Sequence, residues 1–367
     1  MILPIAKTLS WITMLLFLWV GNPYITDHTP KTEPSFSNKN LEKYLQSLEK
    51  KGFSGTILIA KKQEIIKHRA YGMRDKAEGL KNQKNTIFDI GSVTKQFTAA
   101  AILKLEMQGK LSVSDPISKY FAEIPRDKKE ITIHQLLTHT SGLVASVGND
   151  YEEISEKDFL NRVFALELKS PAGQKFRYSN VGYSLLSIII EKVSGIRYET
   201  YLNEALFNPA GMQNTGYRLP TWDSNSIAKG YSKKKEHKKP NEEHWGKDGP
   251  FLNLKGNGGI LSNAKDLFKW HTALLGNAIL DEKAKEKYFY PHTPEDASGE
   301  SFYAYGWVNM PFGPDKTAIW HNGGNGIFFA DFWRFIQEDI AVIVLSNKYR
   351  GAKDDSIAEK ISTIILQ

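Results

Sequence analysis

The chain has 367 residues, with 48 Lys and Arg against 41 Asp and Glu, no Cys and a formal net charge of +7. This length exceeds the ~100–200 residues of a usual single domain and suits two intertwined lobes. The lack of cysteine excludes disulfide scaffolds, thiolate zinc sites and cysteine nucleophiles. The basic residues are scattered, and their main cluster (Lys233, Lys234, Lys235, Lys238, Lys239) is mixed with Glu236 and His237. That is the pattern of a solvated loop rather than of the aromatic-interleaved stripe of a nucleic-acid binder.

In chain order, Lys7 precedes an uncharged run from Leu9 to Val20. The run has the length of a signal-peptide core and falls short of the ~20 residues of a membrane-spanning helix. We therefore expect residues 1–20 to be an export signal, sending the protein to the periplasm or the extracellular space. Trp19 and Val20 make a poor cleavage site, so an uncleaved N-terminal membrane anchor stays open. Residues 21–40 read as a linker.

Leu41, Tyr44, Leu45 and Leu48 then share one helical face, with Gly52 as the stop. Two strands follow around residues 61–63, and "TIFDIG" leads into Ser92. From Val93 the chain is apolar and alanine-rich, as in a buried helix that Gly109 ends. A helix-rich stretch runs from Leu111 to Lys255, and "GNGGILSNAKDLFKWHTALL" reads as a glycine turn before a helix with Asn263 and Asp266 at N-cap and N3 spacing. The last third is β-rich and closes with a helix over residues 355–366. Strands at both ends and helices between predict one sheet closed by the two ends of the chain. The expected division is an α/β lobe from residues 41–110 and 256–367, with a mainly helical lobe from residues 111–255.

Three stretches carry chemistry. The pattern S-x-x-K occurs at Ser47, Ser92, Ser226, Ser232 and Ser262, and context separates them. Only Ser92 lies where a turn becomes the first turn of a core helix, so that Lys95 three residues on faces it. A serine hydroxyl needs a base to take its proton, and a buried, neutral lysine is one. In "KFRYSNVGYSLL", Tyr178 and Asn180 precede an apolar helix. A tyrosine with a lowered pKa serves as a general base, and an asparagine orients a substrate amide. In "AIWHNGGNGIFFADF", Gly323 and Gly324 follow His321 in a β-rich run, where glycine marks close approach of another backbone or a ligand. Asn322-Gly323 and Asn325-Gly326 each also suit a hairpin turn.

Together, Ser92-Val-Thr-Lys95, Tyr178-Ser-Asn180 and His321-Asn-Gly323, in that order, resemble the three active-site motifs of the serine β-lactamase and penicillin-binding protein superfamily. The similarity is to its class C-like branch of β-lactamase-related esterases, D-aminopeptidases and DD-peptidases, and extends to "LLTHTSGL" and "GGILSNAKDL". The resemblance implies an α+β, β-lactamase/transpeptidase-like fold: an antiparallel sheet flanked by helices, with an inserted helical lobe. It implies an acyl-enzyme on Ser92, proton transfer shared by Lys95 and Tyr178, and an oxyanion hole of the Ser92 and Gly324 backbone N–H groups. Asn180, His321 and Gly323 would contact substrate. His321 stands where many β-lactamases have lysine. An unperturbed histidine titrates near ~6.5, so a permanent charge for a substrate carboxylate is lost. That favours an esterase or peptidase over an efficient β-lactamase. The expected substrate is a small molecule or a peptidoglycan-like peptide; the other reading is a penicillin-binding sensor that acylates without turnover. No cofactor or metal is implied, since His134 and His139 match no common zinc spacing.

Overall fold

The computed structural model describes residues 38–232 and 235–367. The expected signal or anchor at residues 1–20 lies outside the described residues, as does residue 21 to 37 of the linker. The linker ends earlier than expected, because helix α1 (Lys39–Lys50) starts where the Asn38 side chain accepts from Leu41 N–H at 3.0 Å. Leu41, Leu45 and Leu48 are buried on one face of α1.

Strands β1 (Gly55–Lys61) and β2 (Glu64–Tyr71) form a hairpin whose turn residues, Lys62 and Gln63, both have positive φ. The predicted strand pair is therefore present, closed by a turn whose twist matches that of its strands. Strands β3 (Thr293–Pro294), β4 (Phe302–Tyr303), β5 (Val308–Phe312), β6 (Lys316–Gly324), β7 (Phe329–Phe335) and β8 (Ile340–Ser346) complete an eight-stranded sheet in the order β2-β1-β8-β7-β6-β5-β4-β3. All its pairings are antiparallel. The first strand pairs with the last, from Gly55 opposite Ser346 to Lys61 opposite Ile340.

The central strands β7 and β8 are buried at every position because helices cover both faces. Alternate residues point to opposite sides. Ile57, Ile59, Val342 and Val344 pack with α1 and the C-terminal helix α5 (Ile357–Leu366). Leu58, Ala60, Ile343 and Leu345 pack toward helices α2 (Thr94–Met107) and α4 (Ala264–Leu275). Each such side chain contributes ~1.5–3 kcal/mol when fully buried. Helix α2 is buried around its circumference from Thr94 to Leu103, as a helix in the middle of a core must be. Between Leu111 and Lys255 the described residues run through helices and turns, among them α3 (Asn180–Ser194), which Gly195 ends in the left-handed conformation at φ 78. The C-terminal helix is shorter than expected, since a separate turn (Ala352–Asp355) precedes it.

Behind the sheet, the buried Arg334 guanidinium donates to His271 Nδ1 at 3.0 Å and lies between the Phe289 and Trp307 rings. His271 in turn sits 3.2 Å from Asp339 through Nε2. Burial of the imidazole holds its pKa well below the ordinary range, so the ring stays neutral and accepts the Arg334 proton.

The end of β6 is wedged against the residues that precede α2. A Cβ on Gly323 would lie 2.2 Å from the Ile90 carbonyl oxygen and 2.5 Å from Ser92 N. Only a residue without a side chain lets the two backbones meet. Gly323→Ala should therefore lose about 1–3 kcal/mol of unfolding free energy to overpacking, read from urea or thermal unfolding. Full retention of stability would show that the contact yields.

Candidate active site

Ser92 sits in a single 3-10 turn (Gly91–Val93) that runs directly into α2. Gly91 has φ +50, which favours glycine, and its N–H donates to Asp89 Oδ1 at 2.7 Å. This tight turn sets Ser92 above Lys95, whose Nζ lies 3.1 Å from Ser92 Oγ. In the other four S-x-x-K matches the serine hydroxyl bonds elsewhere: Ser47 to the Tyr44 carbonyl, Ser226 to the Asp223 carbonyl, Ser232 to His237 and Ser262 to Thr215.

The Lys95 amine is fully buried. Besides Ser92 it meets Asn180 Oδ1 at 2.8 Å and the Asn257 carbonyl at 2.7 Å. Among the described residues no carboxylate is hydrogen-bonded to it, and desolvation holds its pKa well below 10.5, with the charge of Asp150 opposing this in part. An ammonium buried without a counter-ion loses its proton. A neutral amine has two N–H groups and one lone pair. In that form the two N–H groups satisfy Asn180 and Asn257, which leaves the lone pair for Ser92 Oγ at 3.1 Å.

Tyr178 and Asn180 arrive together because Ser179 between them is the N-cap of α3. Its Oγ accepts from Gly182 N–H at 3.1 Å and donates to the Val144 carbonyl at 2.7 Å. The Tyr178 ring packs against His139 at 4.2 Å between centroids, and Lys95 Nζ lies 4.8 Å from its centre. Here the structure corrects the expectation of a tyrosine with a lowered pKa. Desolvation raises the phenol above its ordinary value, and the hydrogen bond with Ser92 only partly offsets this. The residue remains 36% exposed, so water reaches one side of the ring and moderates the rise without reversing it. Tyr178 is thus a neutral phenol, a proton donor beside a neutral amine.

His321 is on β6, buried, with Nδ1 toward the Asn322 carbonyl and Nε2 3.0 Å from the Tyr303 hydroxyl. These partners place the proton on Nδ1 and let Nε2 accept. Desolvation, the largest cause, pushes its pKa down to about 3. The expectation of a histidine titrating near its ordinary value is therefore replaced by one that stays neutral, so it supplies no charge for a substrate carboxylate. Asn322-Gly323 is strand, and the hairpin turn falls at Asn325-Gly326, where Gly326 has φ 79. The close approach of Gly323 to Ser92 N is mirrored on the other side, where a Cβ on Gly91 would lie 2.5 Å from Gly324 N. Two backbone nitrogens, of Ser92 and Gly324, are thereby held side by side at the mouth.

All seven predicted residues converge on this one place. Sequence reasoning missed Asn257, which lies in the glycine-rich "KGNGG" run and is fixed by donating to Ser184 Oγ at 2.9 Å and to the Asn253 carbonyl at 3.0 Å. A polar residue between glycines, just before a helix, was the available signal. It also missed His139, weighed only as a metal ligand. His139 has φ 57, accepts from Ser179 N–H at 3.0 Å and supports the Tyr178 ring.

Comparison with known proteins places the chain in a family and a fold. The Beta-lactamase family model matches residues 39–363. The chain is 34% identical over 333 residues to PbpX of Bacillus subtilis (strain 168), which is named as a penicillin-binding protein, covering 90% of this chain and 79% of that one. The octameric penicillin-binding protein homologue from Pyrococcus abyssi superposes with a TM-score of 0.73 at 28% identity, covering 89% of this chain and 77% of that chain. A class C beta-lactamase shares the fold at a TM-score of 0.76 and 22% identity, over 88% of this chain and 94% of that chain. The chain belongs to the beta-lactamase family, with the β-lactamase/transpeptidase-like α+β fold of the serine β-lactamases and penicillin-binding proteins.

Proposed function

We propose that the protein is a serine hydrolase that forms an acyl-enzyme on Ser92 and cleaves an ester or amide. The observation that carries this is the Lys95 amine, buried, its two N–H groups engaged, with Ser92 Oγ 3.1 Å away. Ser92 Oγ attacks the carbonyl carbon as its proton passes to Lys95 Nζ. The oxyanion accepts from the Ser92 and Gly324 N–H groups; one such donor is worth ~2.7–4 kcal/mol of barrier. Collapse breaks the bond to the leaving oxygen or nitrogen, which takes the Tyr178 phenol proton, and the Lys95 ammonium replaces that proton. Water then attacks the acyl carbon, gives a proton to Lys95, and Ser92 regains its hydroxyl hydrogen as the acid departs. Asn180, with Oδ1 on Lys95, keeps its amide N–H groups for a substrate carbonyl.

Neutral His321 supports an esterase or peptidase over an enzyme specialised for anionic β-lactams. The uncharged run from Leu9 to Val20 supports export to the cell envelope, where peptidoglycan-like substrates occur.

A fluorophosphonate probe should label the wild type at Ser92 and leave Ser92→Ala unlabelled; equal labelling of both would contradict the assignment. Tyr178→Phe separates leaving groups. Loss of a general acid costs ~10²–10⁴-fold, and this should appear in kcat/KM for an anilide or amide. A p-nitrophenyl ester, whose leaving group departs as a stable anion, should be far less affected. Equal losses on both would remove Tyr178 as the proton donor.

A further inference from the structure

The edge hairpin of the sheet brings a carboxylate to the Tyr178 side of the site. In it, Thr293 stands opposite Tyr303 and Pro294 opposite Phe302. The pairing runs one step further, where Glu295 N–H donates to the Ser301 carbonyl at 2.9 Å. Residues opposite each other in an antiparallel pair project to the same face, and alternate residues along a strand share it. Glu295, Ser301, Thr293 and Tyr303 are therefore on one face, and the Ser301 hydroxyl donates to Glu295 Oε2. That face belongs to the site. The Tyr303 ring lies 4.6 Å from His139, 5.5 Å from Phe176, 5.7 Å from His321 and 6.2 Å from Tyr178, between centroids. Glu295 is the next residue along it.

The charge that Glu295 brings is uncompensated. The side chain is half-buried, and no lysine or arginine pairs with it among the described residues. Burial raises its pKa, and the Ser301 hydroxyl opposes the rise. Its field reaches the phenol: desolvation is the first cause of the raised Tyr178 pKa, and the charge of Glu295 adds to it. Among the described residues no cation acts on the phenol in the opposite sense. Arg177, next in the chain, is exposed. Burial disfavours charge on the Lys95 amine over the Tyr178 ring, and His321 is neutral. A leaving group that takes its proton from Tyr178 thus departs beside one negative charge. Its own carboxylate would be repelled there, and an ammonium would be attracted.

We propose that Glu295 sets the charge of the leaving group: the site releases cationic and neutral alcohols or amines and disfavours those that carry a carboxylate. This rests on Ser92 as nucleophile and Tyr178 as proton donor, as proposed above. Glu295 is here a specificity residue and takes no part in bond making.

The test uses acetate esters of one acyl group and three leaving groups: 3-acetoxy-N,N,N-trimethylanilinium, phenyl acetate and 3-acetoxybenzoate. Each kcat/KM is divided by the rate constant of the same ester with imidazole, which removes differences in leaving-group reactivity. At about pH 8, above the ordinary carboxyl range, the wild type should favour the cationic over the anionic ester by about fivefold or more at low salt, as for unit charges several ångströms apart in a partly hydrated site. Phenyl acetate should fall between them. Glu295→Gln should bring the ratio close to one, and Glu295→Lys should invert it, with phenyl acetate changed little in both. A wild-type ratio at or below one overturns the proposal whether or not the variants fold. So does an unchanged ratio in either folded variant. Ser92-dependent turnover without a charge preference overturns the role of Glu295 alone. Turnover that Ser92→Ala does not lower overturns the nucleophile, and this proposal with it.

Discussion

The burial of one lysine amine organises this molecule. Lys95 Nζ contacts the turn before α2 through Ser92, the start of α3 through Asn180, and the glycine-rich loop before α4 through Asn257. A charged ammonium in that position would need a carboxylate, and among the described residues none is bonded to it. The neutral amine fits with every proton used and its lone pair directed at a hydroxyl. Burial thus both stabilises the join of three segments and prepares a base, because the same desolvation that costs the charged form leaves the amine free to accept.

A second constraint lies in the backbone. Gly91 and Gly323 have no side chains, so the end of β6 abuts the turn that carries Ser92, and two N–H donors stand together without any side chain to position them. The sheet supplies this edge because its first strand pairs with its last, which fixes β6 relative to the segment leading out of β2. Around the pair, the site is poor in fixed positive charge. His321 is neutral and burial disfavours charge on Lys95, while Asp89 and Asp150 line the same small cavity as Ser92. The charge balance at the mouth is opposite to that of the chain as a whole, so the net +7 says little about the substrate.

Much of this was legible in the sequence because it is local. Ser92 and Lys95 meet through helical spacing, and Ser179 reads as a cap that presents Tyr178 and Asn180. The apolar run after Val93 reads as a core helix, and Asn263 with Asp266 forms the expected cap, with Asp266 N–H donating to Asn263 Oδ1 at 2.9 Å. What could not be read depends on distant contacts. Which of two Asn-Gly pairs makes the turn is set by pairing with β7. Asn257 reaches Lys95 across 162 positions of chain. The direction of the Tyr178 shift follows from its desolvation in the assembled site. In each case the residue type was visible and its surroundings were not.

The central claim is that Lys95 is a neutral amine in the resting protein. Selective 13C labelling of lysine, with Lys95→Arg to assign the resonance, follows its titration directly by NMR. The account predicts a lysine that loses its proton well below the ordinary 10.5, with acylation of Ser92 rising along the same curve. A Lys95 resonance that remains that of an ammonium up to the ordinary range, while acylation at neutral pH proceeds undiminished, would contradict it.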